Sequence, residues 1–222
     1  MSMRRAESVD SFKESTLESF TRDLASSDPV PGGGGVSALA GALAIALGSM
    51  AASLTIGKKK YVNVEERMKE VVEDAEELRE RLLRLVDDDA RAFSSLMDVM
   101  KLPRGTEEER TERSLAMDEA LTQSGMVPLK IMRSSADVIV LLEEIAANGS
   151  KAVLSDAACG VSLAWASMEC AALNVYANTK FIRDRATAKK MNTEVLDLMD
   201  EMRERARKIY TVVEEELKNQ IQ

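Results

Sequence analysis

An all-α fold, a multihelical bundle of about six helices with long antiparallel members, is predicted for this 222-residue chain. Three observations predict it. Apolar residues recur at three- and four-residue spacing along most of the chain. No run alternates with the period of two that a strand requires. Helix-start signals and Pro or Gly breaks divide the periodic pattern into segments.

A capping box at Ser15-Leu17-Glu18 predicts a first short helix with Leu17, Phe20 and Leu24 on one face. It ends in Ser26–Pro31, where two prolines forbid continuation. Gly32–Gly35 reads as a loop ahead of an Ala/Leu-rich helix from about Val36 to Ile56. Asn63 and Glu66 read as the box opening a long helix, about Val64 to Met100, which Leu102-Pro103-Arg104-Gly105 breaks. Thr106 and Glu109 cap a fourth helix, which Pro128 should kink or split before it stops at Asn148-Gly149. A fifth runs from about Ser155 to Thr179. The last, about Ala188 to Leu217, repeats Met191, Val195, Leu198, Met202, Ile209 and Val213. No linker is evident, so residues 1–222 are expected to form one domain, with 1–14 a loose extension.

Composition narrows the chemistry. With no histidine, Ser-His-Asp and Cys-His nucleophile systems and imidazole-dependent zinc sites are excluded within this chain. Two cysteines cannot form a structural zinc cage; Cys159 and Cys170, in an apolar stretch, are expected to be buried free thiols in a reducing cytoplasm. A net charge of −8 and 4% aromatics argue against a nucleic-acid partner. Met1–Asp10 has two arginines and no apolar core of a secretory signal.

No charge occurs from Pro29 to Gly57, a span of 29 residues, so a membrane helix must be weighed. Ala40, Ala44, Gly48 and Ala52 form a ridge of small residues that lets another helix approach closely. The weak transfer energy of alanine and serine, and a chain that is 31% charged, favour a buried helix of a soluble protein. Ala157–Thr179 carries only Glu169 as a charge. Two helices that are apolar all round imply a central layer shared with a partner subunit.

One residue is out of place. Along the third helix Val64, Met68, Val71, Ala75, Leu78, Leu82, Leu85, Asp89, Ala92 and Leu96 form a seam in which only Asp89 is polar. A buried, unpaired carboxylate costs several kcal/mol, so Asp89 must be paired, protonated or lining a wet cleft. Such a carboxyl is suited to proton transfer; the alternative is a structural, hydrogen-bonded aspartate. Asp87 and Asp88 fall beside Arg84 and Arg91 and read as solvated surface.

The glycine run offers backbone N–H groups at a helix start, suited to an anion or a carbonyl, though loop flexibility is the simpler explanation. Lys58, Lys59 and Lys60 either complement a helix dipole or clamp a carboxylate-bearing ligand. Asn174 and Asn178 share a face of the fifth helix, and as buried amides need partners. Asp156 is accounted for as a helix cap.

Several motifs together resemble the cyclodeaminase domain of formiminotransferase-cyclodeaminase. They are Pro29-Val30-Pro31-Gly32-Gly33-Gly34 with Val36-Ser37-Ala38-Leu39, then Thr55-Ile56-Gly57-Lys58-Lys59-Lys60-Tyr61 and Val86-Asp87-Asp88-Asp89-Ala90-Arg91-Ala92-Phe93. Met100-Lys101-Leu102-Pro103, Val127-Pro128-Leu129, Ser155-Asp156 and Asn174-Val175 continue the match. Gly35 stands where the family usually has serine. The resemblance implies a helical homodimer that acts on a reduced folate, polyglutamylated or not, without metal or cofactor; a cytoplasmic location and the absence of nucleic-acid and membrane partners are expected from the thiols and the composition. The resemblance also implies the second aspartate of the Val-Asp-x-Asp-Ala motif, Asp89, as proton donor. Candidate substrate-binding residues are Gly32, Gly33, Gly34, Lys58, Lys60, Asp156, Asn174 and Asn178. The activity expected first is formiminotetrahydrofolate cyclodeamination, with methenyltetrahydrofolate hydrolysis at the same carbon as the alternative. A non-catalytic dimeric scaffold is the competing class.

Overall fold

The uncharged stretch becomes the central helix. In the computed structural model, which describes residues 11–219, the elements are α1 (Leu17–Leu24), α2 (Gly33–Ser53), α3 (Glu65–Met100), α4 (Glu107–Asn148), α5 (Leu154–Thr179) and α6 (Arg185–Asn219). Among the described residues there is no strand. The reading of Met1–Asp10 as lacking the apolar core of a secretory signal lies outside them.

Helix α2 packs against α3, α4 and α5, and its small residues explain how. A Cβ on Gly41 would meet the Leu82 and Ser135 side chains at 3.0 Å, and one on Gly48 would stand 2.8 Å from Leu142. A Cβ on Gly160 of α5 would lie 2.9 Å from the Ala44 carbonyl. Close backbone approach therefore replaces side-chain interdigitation at the centre. A buried hydroxyl chain adds direction: Ser135 and Ser167 share a hydrogen bond of 2.8 Å, and Ser167 donates to the Ser37 carbonyl at 2.6 Å.

The pairings 34/89 and 41/82 make α2 and α3 antiparallel, and 37/167 with 44/160 do the same for α2 and α5. Arg67–Glu144 and Ser124–Ala92 run α4 back along α3. Residues from all six helices share one apolar core, from Phe20 of α1 to Ile209 of α6. Helices α2 and α5 are each long and apolar enough to cross a membrane, and about half of each apolar window, 56% and 50%, is buried within the chain.

Several boundaries differ from expectation. Helix α1 is capped by Thr16, whose hydroxyl accepts the Ser19 N–H, and only Phe20 is buried, because Leu17 and Leu24 point to solvent from a two-turn surface helix. Helix α3 has no Asn63 box; a 3-10 turn (Lys59–Val64) feeds straight into it. The Thr106/Glu109 box is formed as expected. Pro128 neither splits nor ends α4, for a reason found at the site below.

Two surface assignments are also corrected. Asp87 is buried, 6% exposed, because Phe12 N–H, Lys13 N–H and the Ser11 hydroxyl all donate to it, at 2.7, 3.3 and 2.6 Å. The part of the N-terminal extension from Ser11 onward is thus docked on α3. Cys159 and Cys170 are exposed, because they sit on a flank of α5 that no other described helix covers.

Candidate active site

The glycine run is not a loop. Helix α2 begins at Gly33, and its cap residue, Gly32, has no side chain to satisfy the first-turn N–H groups. The missing cap comes from another helix: Asp89 Oδ2 of α3 accepts the Gly35 N–H at 2.9 Å. The carboxyl sits so close to α2 that a Cβ on Gly34 would collide with all three of its terminal atoms. Gly34 is needed for this approach, whereas a Cβ on Gly35 would meet Val86 and Pro31 at ordinary distances of 3.6–3.9 Å. The serine hydroxyl absent at 35 is therefore not what holds the aspartate; the backbone N–H is.

Burial pushes the Asp89 carboxyl above its ordinary value of 3.8, and the Gly35 hydrogen bond opposes this only in part. No cation pairs with it among the described residues. The side chain opens into a cleft of about 190 Å³ lined by Pro29, Val30, Gly32, Gly33, Gly34, Asp89, Ala92, Phe93, Ser124, Asn174 and Asn178. Asp89, the one polar residue of the α3 seam, is thus a half-buried carboxyl in contact with open space and without a cation partner among the described residues, an arrangement suited to giving and taking a proton.

Asn174 and Asn178 close the cleft from α5, one turn apart. Asn174 Nδ2 donates to the Cys170 carbonyl at 2.8 Å, which leaves one amide hydrogen and Oδ1 for a ligand. Asn178 Nδ2 donates to the carbonyls of Asn174 at 2.9 Å and Ser124 at 3.3 Å. The Ser124 hydroxyl donates to the Ala92 carbonyl at 3.2 Å, tying α4 to the helix that carries Asp89.

Six of the candidate site residues are therefore gathered at one cleft: Asp89, Gly32, Gly33, Gly34, Asn174 and Asn178. Lys58, Lys60 and Asp156 are not. They lie at the opposite end of the bundle, where Lys58 Nζ donates to Ser150 Oγ at 2.7 Å and Asp156 sits in the first turn of α5. The length of α2, about 30 Å at 1.5 Å per residue, separates the two ends. Reading the sequence missed Ser124 and Phe93 as lining residues and Asp87 as the dock for the N-terminal segment. Ser124 had a signal, standing four residues before a proline that cannot bond its carbonyl.

The family model described as formiminotransferase-cyclodeaminase matches residues 16–197. A methenyltetrahydrofolate cyclohydrolase of Methylorubrum extorquens is 44% identical over 198 residues, 89% of this chain and 95% of that protein. A formimidoyltransferase-cyclodeaminase of Mus musculus is 31% identical over 196 residues, 88% of this chain but only 36% of the longer protein. The crystal structure of a formiminotetrahydrofolate cyclodeaminase from Thermotoga maritima superposes with a TM-score of 0.79 at 31% identity, covering 95% of this chain and 99% of that one. The helical frame is accordingly that of a known group, and this chain belongs to the formiminotransferase-cyclodeaminase family.

Proposed function

We propose that this chain is a folate one-carbon enzyme that hydrolyses 5,10-methenyltetrahydrofolate, with Asp89 moving the proton. The observation that carries this reading is the half-buried Asp89 carboxyl, held by one N–H and by no cation among the described residues, facing the cleft. The hydrolytic version is supported by the 44% relative, which this chain matches over nearly its full length. Cyclodeamination of 5-formiminotetrahydrofolate, the activity expected first from the sequence, is the second reading; the close superposition on a stand-alone cyclodeaminase favours it.

Both reactions run at one carbon. In hydrolysis the carboxylate takes a proton from water as its oxygen attacks the cationic bridge carbon. The protonated carboxyl then returns that proton to the folate nitrogen as its bond to the carbon breaks, and the adduct's remaining hydroxyl proton passes to solvent as the formyl C=O forms. In cyclodeamination the same group takes the proton of the attacking nitrogen and delivers it to departing ammonia. Neither route calls on a metal or redox cofactor. A cleft of 190 Å³ is smaller than the roughly 300–1,000 Å³ that envelops a drug-sized ligand, so it takes the bicyclic head and leaves the remainder outside. Lys58 and Lys60, about 30 Å away along α2, meet only the distal part of a polyglutamylated tail.

The working form is proposed to be a cytoplasmic homodimer without nucleic-acid or membrane partners. Support for self-association comes from Leu43 and Met50 of α2 and Leu54 at its C-cap, a stripe left 41–48% exposed. The deciding experiment follows the methenyl chromophore with both substrates side by side. Its loss from methenyltetrahydrofolate supports the hydrolase, and its appearance from formiminotetrahydrofolate supports the cyclodeaminase. Absence of both, with no saturable folate binding, would leave a scaffold.

A further inference from the structure

Asn178 has already spent its donors. An amide nitrogen carries two hydrogens, and Asn178 Nδ2 sends one to the Asn174 carbonyl and one to the Ser124 carbonyl. Turning the amide over would set Oδ1 against both of those carbonyl oxygens, so its orientation follows from its neighbours. What remains free is Oδ1, an acceptor, on a residue that lines the cleft.

The Ser124 carbonyl is open to Asn178 because residue 128 is proline. In an uninterrupted helix the N–H of residue 128 would bond the carbonyl of residue 124, and proline has none. Gly125, next to Ser124, packs against both neighbouring helices: a Cβ there would stand 2.8 Å from Met191 Cε of α6 and at an ordinary contact distance of 3.5 Å from Asn178 Cβ of α5. This also explains why α4 continues through Pro128, since the carbonyl that loses its donor gains another. Pro128 is buried and does not itself line the cleft.

We propose that Pro128 is a positioning residue that fixes Asn178 as a hydrogen-bond acceptor, and that Asn178 Oδ1 takes an N–H of the reduced pterin ring. This rests on the folate reading above. A ligand presenting a lone pair at that point meets another lone pair and is rejected, so the pair also acts in specificity.

The test is a double-mutant cycle in steady-state kinetics, with whichever of the two folate substrates the wild type turns over. Alanine is the best helix former, so Pro128→Ala keeps α4, and circular dichroism checks this. It restores an N–H to Ser124 and releases Asn178; Asn178→Leu removes the acceptor. Each is expected to raise KM about tenfold with kcat nearly unchanged, the signature of lost ground-state binding. The double variant should be no worse than Asn178→Leu alone. Unchanged KM in Pro128→Ala, or losses that multiply in the double variant, would overturn the proposal while leaving the folate reading intact. A wild type that neither binds nor converts a reduced folate overturns both.

Discussion

Asp89 caps a helix to which it does not belong. Its Oδ2 accepts the Gly35 N–H of α2 at 2.9 Å, doing for the glycine turn what Gly32 cannot. One contact thus orders the first turn of α2, positions the carboxyl at the cleft and leaves its other oxygen free. The helix N-terminus favours the ionised form while burial favours the protonated one, and burial dominates.

The glycines of this turn should be unequal. Gly34→Ala drives a methyl into the Asp89 carboxyl, so it is expected to cost about 1–3 kcal/mol and to abolish turnover by displacing the acid. Gly35→Ser has space and keeps the N–H, so it should leave turnover intact and raise stability by a few tenths of a kcal/mol, about the helix-propensity gain. Chemical denaturation and turnover of the two variants decide this; equal damage at both positions would refute the cap geometry.

Asp89→Asn separates chemistry from stability. Because the folded-state pKa is raised above 3.8, the folded chain binds a proton more tightly than the unfolded one. The stabilising contribution is full below pH 3.8 and is lost as pH rises through the window up to the folded value. Asparagine keeps an oxygen for Gly35 and has no charge to bury. The variant should therefore melt at or above the wild type at pH 7, with the advantage shrinking as pH falls toward 4, while turnover drops about 10²–10⁴-fold. A variant that is less stable at pH 7 would contradict the assignment of burial as the dominant effect.

Asp87 performs a different task two residues earlier. It receives two backbone N–H groups and a hydroxyl from the N-terminal segment, and Phe12 there meets Phe20 of α1 edge-on at 6.3 Å between ring centroids. Asp87→Ala strips all three donors of their acceptor and should cost about 1–3 kcal/mol. Hydrogen exchange at the Phe12 and Lys13 amides should accelerate, while amides at the core of α4 keep their ranking. Unchanged exchange at Phe12 would show that the segment is held by its rings instead.

The contrast between Asp87 and Asp89 shows what was legible in the sequence. Asp89 was found because its partners in the pattern, Leu82, Leu85 and Leu96, lie on its own helix, where 3.6-residue periodicity can be read. Asp87 was read as solvated because its partners are 74–76 residues away, and two of them are backbone groups that no side-chain pattern reports. The start of α2 was placed late for the same reason: glycine is a poor helix former, and what recruits Gly33–Gly35 is a cap from α3. Thr106 and Glu109, a purely local box, were read correctly. Lys58 is proposed from the sequence as a carboxylate clamp and Asp156 from motif membership, and neither signal tells one end of a helix from the other.

The exposed stripe of α2 provides the last prediction. Leu43, Leu47, Met50 and Leu54 recur at spacings of four, three and four, one face of a helix. Leu43 and Met50 of the central helix and Leu54 at its C-cap are 48%, 41% and 47% exposed. If a second copy covers this face, Leu43→Glu combined with Met50→Glu should convert the dimer to a monomer by light scattering. Substitutions at solvent-facing positions usually shift stability by no more than about 0.5 kcal/mol, so helix content and the folded monomer should survive. Dissociation with folding intact would place the interface on α2. A wild type that is monomeric at micromolar concentration, or a double variant that remains dimeric, would remove that face from the assembly.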